Sequence, residues 1–418
     1  MLLHENNLVG CLYRWTSKLW FVSPLNFDEG VRSRLELPEK VAIHDTTLRD
    51  GEQQAGVVFR KDEKVRIATA LDEAGVDRVE AGMPAASRDD FEAVKEIARL
   101  GLKAKVMAFS RCLRHDVDLA LKADVSGVVM ELPSSKHIIE YGYGLPEDRA
   151  ISTAVNAAEY AKQHGLFVTL LAIDLTRADY ELLKKVAESA RGSADSITIA
   201  DSFGVVNPFS MEHLTRQLRT LTKKPVEVHP HNDFGLAVAN ALAAVAAGAS
   251  VVHVTVNGIG ERAGNAALEE TVLALELLLG VGTGVKFDKL YGLSKLVEQL
   301  SGVKLPPHKP VVGDSPYKVE SGMVTEWWVS AREVRPTEVF PILPELVGRK
   351  EGIEVVLGKK SGRANIIEAL REVGIDPAKV GADALARILA EVKFYSVLKK
   401  GPITKEEFIL IAKRVLGS

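Results

Sequence analysis

The stretch Val41–Ala81, VAIHDTTLRDGEQQAGVVFRKDEKVRIATALDEAGVDRVEA, decides the fold. It opens on a short apolar run, Val41–Asp45, and closes on a second, Arg78–Ala81. Between them Lys61–Ala74 repeats its apolar residues at helical spacing and meets Gly75, where a helix should stop. Strand, helix, strand in this order means parallel pairing through a right-handed crossover.

The same rhythm continues through Lys105–Ala108, Gly127–Glu131, Phe167–Ile173, Ser196–Ala200, Val226–His229 and Val251–Val256. The amphipathic segments between them are Arg88–Leu100, Pro146–His164, Asp179–Arg191, Pro208–Thr222 and Leu236–Ala247, with Gly101, Gly165 and Gly248 as further stops. Eight such units predict an α/β fold, a closed (β/α)8 TIM barrel. An open doubly wound sheet is the alternative, weakened because no Gly-x-Gly-x-x-Gly follows the first strand. We place the barrel at residues 40–302. Residues 1–39 read as an irregular arm, with Tyr13, Trp15, Trp20 and Phe21 clustered and Pro24 and Pro38 as punctuation. Residues 303–418 read as a linker, marked by Pro306, Pro307, Pro310 and Pro316, and a small, mostly helical C-terminal domain. Its predicted helices are Ser361–Val373, Asp383–Lys399 and Thr404–Leu416, the last with Thr404 and Glu407 at capping-box spacing.

Composition bounds the chemistry. The 418 residues are 46% hydrophobic and 26% charged, which excludes a disordered chain. Lys and Arg total 53 against 56 Asp and Glu, so no basic surplus points to nucleic acid. The two cysteines, Cys11 and Cys112, cannot build a disulfide framework, and a reducing compartment follows. No apolar stretch suits a bilayer span, and Met1–Asn7 does not open like a secretion signal. The expectation is a cytoplasmic protein with neither a membrane nor a nucleic-acid partner.

A barrel of this kind works at the C-terminal ends of its strands. Strand one leads into His44–Gln53 (HDTTLRDGEQ), strand seven into His229–Asp233 (HPHND), and strand eight into Asn257–Asn265 (NGIGERAGN). His229 and His231 are two apart, so both rings leave the strand on one side. Two imidazoles and a carboxylate suit a divalent metal; Asp50 is the candidate acid and Asn265 offers a further oxygen. Mn²⁺, Zn²⁺, Co²⁺ and Mg²⁺ all remain open. Arg49 beside such a metal can hold charge developing on an oxygen, and it can also pair with Glu80 at the end of strand two.

These segments resemble the metal-dependent family of 2-isopropylmalate, homocitrate and citramalate synthases and hydroxymethylglutaryl-CoA lyase. Glu80–Ala85 (EAGMPA), Ile199–Gly204 (IADSFG), Gly258–Glu270 (GIGERAGNAALEE) and Gly358–Arg363 (GKKSGR) carry the resemblance further. It implies a barrel with a helical extension, a homodimer, metal ligands at Asp50, His229 and His231 with Asn265 nearby, and Arg49 on the oxygen of a 2-oxo acid. Gln53 would lie close to Arg49, and Glu80, His137 and Ser202 would line the substrate. Ser202 stands where the family usually has threonine.

Two departures stand out. The family's strand-five glutamate is matched by Ile173, in Ala172-Ile173-Asp174. The post-barrel HxSGIH stretch is matched by Val319–Val324, so both histidines become valines. Removing a proton from a thioester carbon needs a base. Asp174, Glu131, Glu80, Tyr317 and His308 are the candidates, with Glu131 preferred. Trp327 and Trp328 follow the altered stretch and read as packing residues or as a cover for the barrel mouth. Three functions stay open: an acyltransferase joining an acyl-CoA to a 2-oxo acid, a metal-dependent lyase or aldolase, and a non-catalytic oxo-acid sensor. The length leads us to expect the shorter, homocitrate-synthase-like architecture without an added regulatory domain.

Overall fold

Each of the eight apolar runs forms a strand: β1 (Ala42–Asp45), β2 (Arg78–Glu80), β3 (Lys105–Ser110), β4 (Gly127–Pro133), β5 (Phe167–Ile173), β6 (Ser196–Asp201), β7 (Val226–Pro230) and β8 (Val251–Val254). Every strand pairs in parallel with the next, and β8 pairs with β1, so the barrel closes in sequence order and the open sheet is excluded. The computed structural model describes residues 14–417; Cys11, Tyr13 and the Met1–Asn7 start lie outside the described residues.

The helices follow the sequence signals closely. Lys61–Ala74 and Pro208–Thr222 form over the residues that the spacing predicts. Asn207 caps the second by accepting from Ser210 N–H, with Pro208 in the first turn where its missing N–H costs nothing. One barrel helix, Arg114–Lys122, is absent from the sequence reading. Its N-cap is Leu113 with no side-chain hydrogen bond, so no start signal exists to be read. β8 ends two residues earlier than expected, because Val256–Gly258 turns as a 3-10 segment around Asn257 at φ 64°.

The barrel interior is divided by chemistry. On β3 to β6 it is apolar: Met107, Val129, Leu171 and Ala200 form one cluster with Phe109, Phe167 and Ile173. On β7, β8, β1 and β2 it is ionic. Glu227 accepts from Arg78 at 2.8 Å and faces His253 Nε2 at 2.9 Å. Glu80 faces His44 Nε2 at 3.2 Å, and the His44 and His253 rings stack at 4.2 Å. Burial pushes His253 down to about 4 and lowers His44 too, so both imidazoles are neutral. Each buried carboxylate thereby has its own guanidinium, Arg78 for Glu227 and Arg49 for Glu80; unpaired, each would carry a large desolvation penalty.

Ser23–Leu305 forms the barrel unit; the described residues up to Val22 join those from Pro306 onward in a second unit. The boundary falls three residues beyond the expected 302, and the expected arm is shared between the two units. Phe21 N–H donates to Pro341 O at 2.9 Å and Trp20 bridges to Ile342, whereas Glu36 N–H donates to Ala246 O at 2.8 Å. The second unit is helical, over Gly322–Ala331, Arg363–Glu372, Ala382–Lys399 and Lys405–Leu416, but it also holds a two-strand parallel ladder, Lys318–Val319 with Glu354–Val355. Thr404 and Glu407 close the predicted capping box, Thr404 N–H reaching Glu407 Oε2 at 2.8 Å.

Val319 and Val324, the residues that the resemblance matches to histidines, pack with Phe340, Leu343 and Trp328. Trp328 meets Phe340 edge-on at 5.1 Å, and Trp327 is exposed. Packing within this unit is therefore the role of Trp328. A separate core joins Ile366, Leu370, Ile388, Val392, Phe408 and Ile411. Phe408 is 1% exposed at its centre. Phe408→Ala is expected to destabilise this unit by about 3–5 kcal/mol. Denaturant unfolding followed by circular dichroism measures it, and a loss under about 1 kcal/mol would contradict this account of the core.

Candidate metal and active site

The turn after β1 is held by its own side chains. Asp45 accepts from Thr47 N–H at 2.9 Å and Thr47 Oγ1 at 3.0 Å, and Thr47 Oγ1 accepts in turn from Val256 N–H at 2.9 Å. Burial pushes the Asp45 carboxyl up to about 7, against the hydrogen bonds from Thr47. This anchoring of Asp-Thr-Thr to β8 delivers Arg49 and Asp50 to the barrel mouth. The loop after β8 reaches the same place through its glycines. A Cβ on Gly260 would lie 2.1 Å from Asn265 Nδ2, and one on Gly264 would lie 1.9 Å from Gly258 O. Both have positive φ, so glycine is required on two counts.

Asp50, His229 and His231 converge. Their ligand atoms all lie within 4.8 Å of one another, and all three residues are buried. His229 Nε2 stands 3.2 Å and His231 Nε2 3.7 Å from the same oxygen, Asp50 Oδ2. A cation bound at about 2.1 Å holds neighbouring ligand atoms about 3 Å apart, so the set fits a divalent ion. The protonation states fit too. Burial drives His231 to about 4, helped by its neighbour His229, and burial also lowers His229. Burial opposes the charge on Asp50, yet Arg49 and His229 hold it well below the usual carboxylate range. Neutral imidazoles and an ionised acid are the ligand forms. Asn265 Nδ2 donates to Asp50 Oδ1 at 2.9 Å, and its buried Oδ1 has no hydrogen-bond partner.

A second set, His44, Glu227 and His253, is as tight. Its carboxylate is already balanced by Arg78, and its rings stack on each other, so it is part of the barrel's ionic interior.

Arg49 links the two regions. Its Nη1 donates to Asp50 Oδ2 at 2.8 Å and to Gln53 Oε1 at 3.1 Å, its Nε donates to Glu80 at 2.5 Å, and its guanidinium lies 4.6 Å over the Phe109 ring. Nη2 is buried without a partner, a donor left for another molecule. Despite burial, Arg49 and His44 hold Glu80 down at about 2. Glu80 is fully buried with one oxygen on Arg49 and the other on His44. Glu80 thus stands behind Arg49, with both oxygens engaged.

The remaining predicted residues separate into two groups. Glu131 on β4 is half-buried; burial raises its carboxyl above the ordinary 4.5, opposed by a hydrogen bond from Tyr143. Ser202 accepts from Asp174 N–H at 2.9 Å. His137, by contrast, is exposed and outside the hydrogen-bond network of the ligand set. Two of the alternative bases, Asp174 and Tyr317, are committed elsewhere. Asp174 is fully buried and accepts from Ser135 Oγ at 2.5 Å and Arg177 Nε at 2.7 Å. Tyr317 donates to Val311 O at 2.7 Å, and burial pushes its hydroxyl up to about 12. Sequence reasoning missed Arg262, which ties three loops together through Asp233 at 2.8 Å and Ser202 O at 2.7 Å. It also missed His44, Glu227 and His253, although Glu227 shares the alternation of His229 and His231.

Comparison with known proteins agrees with this geometry. The model of the HMGL-like family matches residues 40–297. Homocitrate synthase AksA of Methanothermobacter thermautotrophicus is 40% identical over 400 residues, 95% of this chain and 98% of that protein. The 2-isopropylmalate synthase of Methanocaldococcus jannaschii is 41% identical over 386 residues, covering 92% of this chain and 73% of that protein. Among solved structures, hydroxymethylglutaryl-CoA lyase from Pseudomonas aeruginosa superposes with a TM-score of 0.57 at 22% identity, over 64% of this chain and 95% of that one, and so shares the barrel fold. With a family model spanning most of its barrel and relatives at this identity over nearly its whole length, the chain belongs to the HMGL-like family.

Proposed function

We propose that this protein is a divalent-metal-dependent acyltransferase that condenses an acyl-CoA, acetyl-CoA in the simplest case, with a 2-oxo acid. The observation that carries the reading is the convergence of Asp50, His229 and His231 beside the unpartnered Nη2 of Arg49. Relatives named as homocitrate and 2-isopropylmalate synthases support it. They also show why overall identity does not choose the oxo acid: two differently named enzymes stand at 40% and 41%.

A divalent cation on Asp50, His229 and His231, with Asn265 Oδ1 as a further ligand, would supply Lewis-acid polarisation of the oxo acid. Mn²⁺, Zn²⁺, Co²⁺ and Mg²⁺ all accept this mixed nitrogen and oxygen set. Arg49 donates from Nη2 to the keto oxygen and holds its charge as the new bond forms. Gln53 and Glu80 fix the guanidinium, and Phe109 covers its face. Ser202 keeps its hydroxyl proton for the oxo acid's carboxylate. Glu131 is the base in place of the missing strand-five glutamate. It takes a proton from the thioester's α-carbon; that C–H pair attacks the keto carbon, and the oxygen becomes an alkoxide that is then protonated. Water hydrolyses the thioester and releases CoA. The protein acts as a homodimer in this reading.

The second reading, carbon–carbon cleavage by a lyase or aldolase, is favoured by one observation: Ile173 leaves the β5 wall apolar where the synthases carry their glutamate. CoA release separates the two. A free-thiol assay with acetyl-CoA and a panel of 2-oxo acids is expected to show oxo-acid-dependent CoA release. Release of pyruvate or glyoxylate from hydroxy acids without it would favour cleavage.

Asp50→Asn and His229→Ala are each expected to lower divalent-metal affinity by at least about tenfold and to abolish CoA release. Elemental analysis after dialysis reads the first effect, and unchanged metal content in both would remove the proposed ligand set.

Glu131→Gln is expected to lower kcat by about 10²–10⁴-fold with little change in KM for the oxo acid. A base must be deprotonated, and burial raises Glu131, so wild-type activity should climb with pH through a value above the ordinary 4.5. That limb should be absent from the residual activity of Glu131→Gln; an unchanged profile would exclude Glu131 as base.

A further inference from the structure

At the opposite end of the barrel from the metal ligands lies a half-open cavity of about 850 Å³. It is lined by Arg78 at the start of β2, Lys105 at the start of β3, Lys103 just before it, and Lys286 and Lys289 after the last barrel crossover. Five cations stand there against three carboxylates, Asp72, Glu73 and Asp77. Two of those carboxylates are engaged with the backbone. Asp72 accepts from Ala104 N–H at 2.7 Å, and Asp77 accepts from Ile43 N–H at 2.9 Å while pairing with Lys40 at 2.8 Å.

The cations are left short of partners. Arg78 gives its Nη1 to Glu227 inside the barrel, and Lys286 gives its Nζ to Glu73 O at 2.9 Å. Lys105 meets only the face of Phe167, at 5.4 Å, and the side chains of Lys103 and Lys289 have no hydrogen bond or ion pair among the described residues. A concave surface with an excess of one sign concentrates its field and collects a counter-charge.

We propose that this cavity binds a phosphorylated small molecule, with Lys103, Lys105 and Lys289 on its phosphate group. The ligand is a phosphate ester because the volume lies within the range of small-molecule sites and exceeds the needs of a bare oxyanion. Ammonium groups on flexible stems suit phosphate as point-charge donors, in charge-assisted hydrogen bonds. The inference stands independently of the proposed reaction, since no residue of this cavity belongs to the metal set.

Isothermal titration at fixed ionic strength, with AMP and inorganic phosphate as probes, tests it on the full-length protein. The expected result is saturable one-to-one binding, weakened at least about tenfold in the double variant Lys103→Ala with Lys289→Ala. The Lys103→Arg with Lys289→Arg variant should retain it, and so should His229→Ala. AMP binding more tightly than phosphate supports a phosphate ester as ligand. Absence of saturable binding, equal affinity in the alanine double variant, loss in His229→Ala, or inorganic phosphate binding as well as AMP would each overturn the proposal.

Discussion

The guanidinium of Arg49, clasped between Glu80 and Asp50, is the interaction on which the rest of the barrel mouth depends. It brings the β1 turn, the end of β2 and the candidate metal ligand Asp50 into one group, in which a single cation serves two carboxylates. Remove it and two buried carboxylates face each other's neighbourhood without compensation, a costlier state than never having buried them. Beneath it the same logic repeats with Glu227 and Arg78, and the stacked neutral rings of His44 and His253 fill the space between the two pairs. The candidate metal ligands rest on a floor where Glu80 and Glu227 each meet a guanidinium.

The other half of the barrel has the opposite character. Met107, Val129, Leu171 and Ile173 make a low-polarity wall on β3 to β5, and Glu131 stands two residues before the end of β4. A carboxyl desolvated there holds its proton more tightly than one in water, and a stronger base results. The carboxylates of the ionic half behave in the reverse way. Surrounded by Arg49, Arg78 and the imidazoles, Glu80 and Glu227 are too acidic to take a proton from carbon.

Much of this was legible before any coordinates. The barrel followed from strand and helix periods, and the helices Lys61–Ala74 and Pro208–Thr222 agree to the residue because capping and stop signals mark their ends. The His229 and His231 pair was legible from a two-residue period alone. What stayed hidden depends on contacts between strands distant in sequence. Glu80 reads as a site residue, but only its burial between Arg49 and His44 shows that it positions another side chain. His44 and His253 are unremarkable on their own strands and acquire meaning only because closure of the barrel places them in register. Likewise Trp20 gives no hint that its bridging partner is Ile342.

The crowding around Gly260 and Gly264 has an evolutionary consequence. No side chain of any kind fits at these two places without striking Asn265, Asp50 or the Gly258 carbonyl. The loop after β8 is therefore closed to any larger residue at these two places. A mutation at either glycine thus reaches Asp50 and Asn265 indirectly, through the shape of the loop that brings them together.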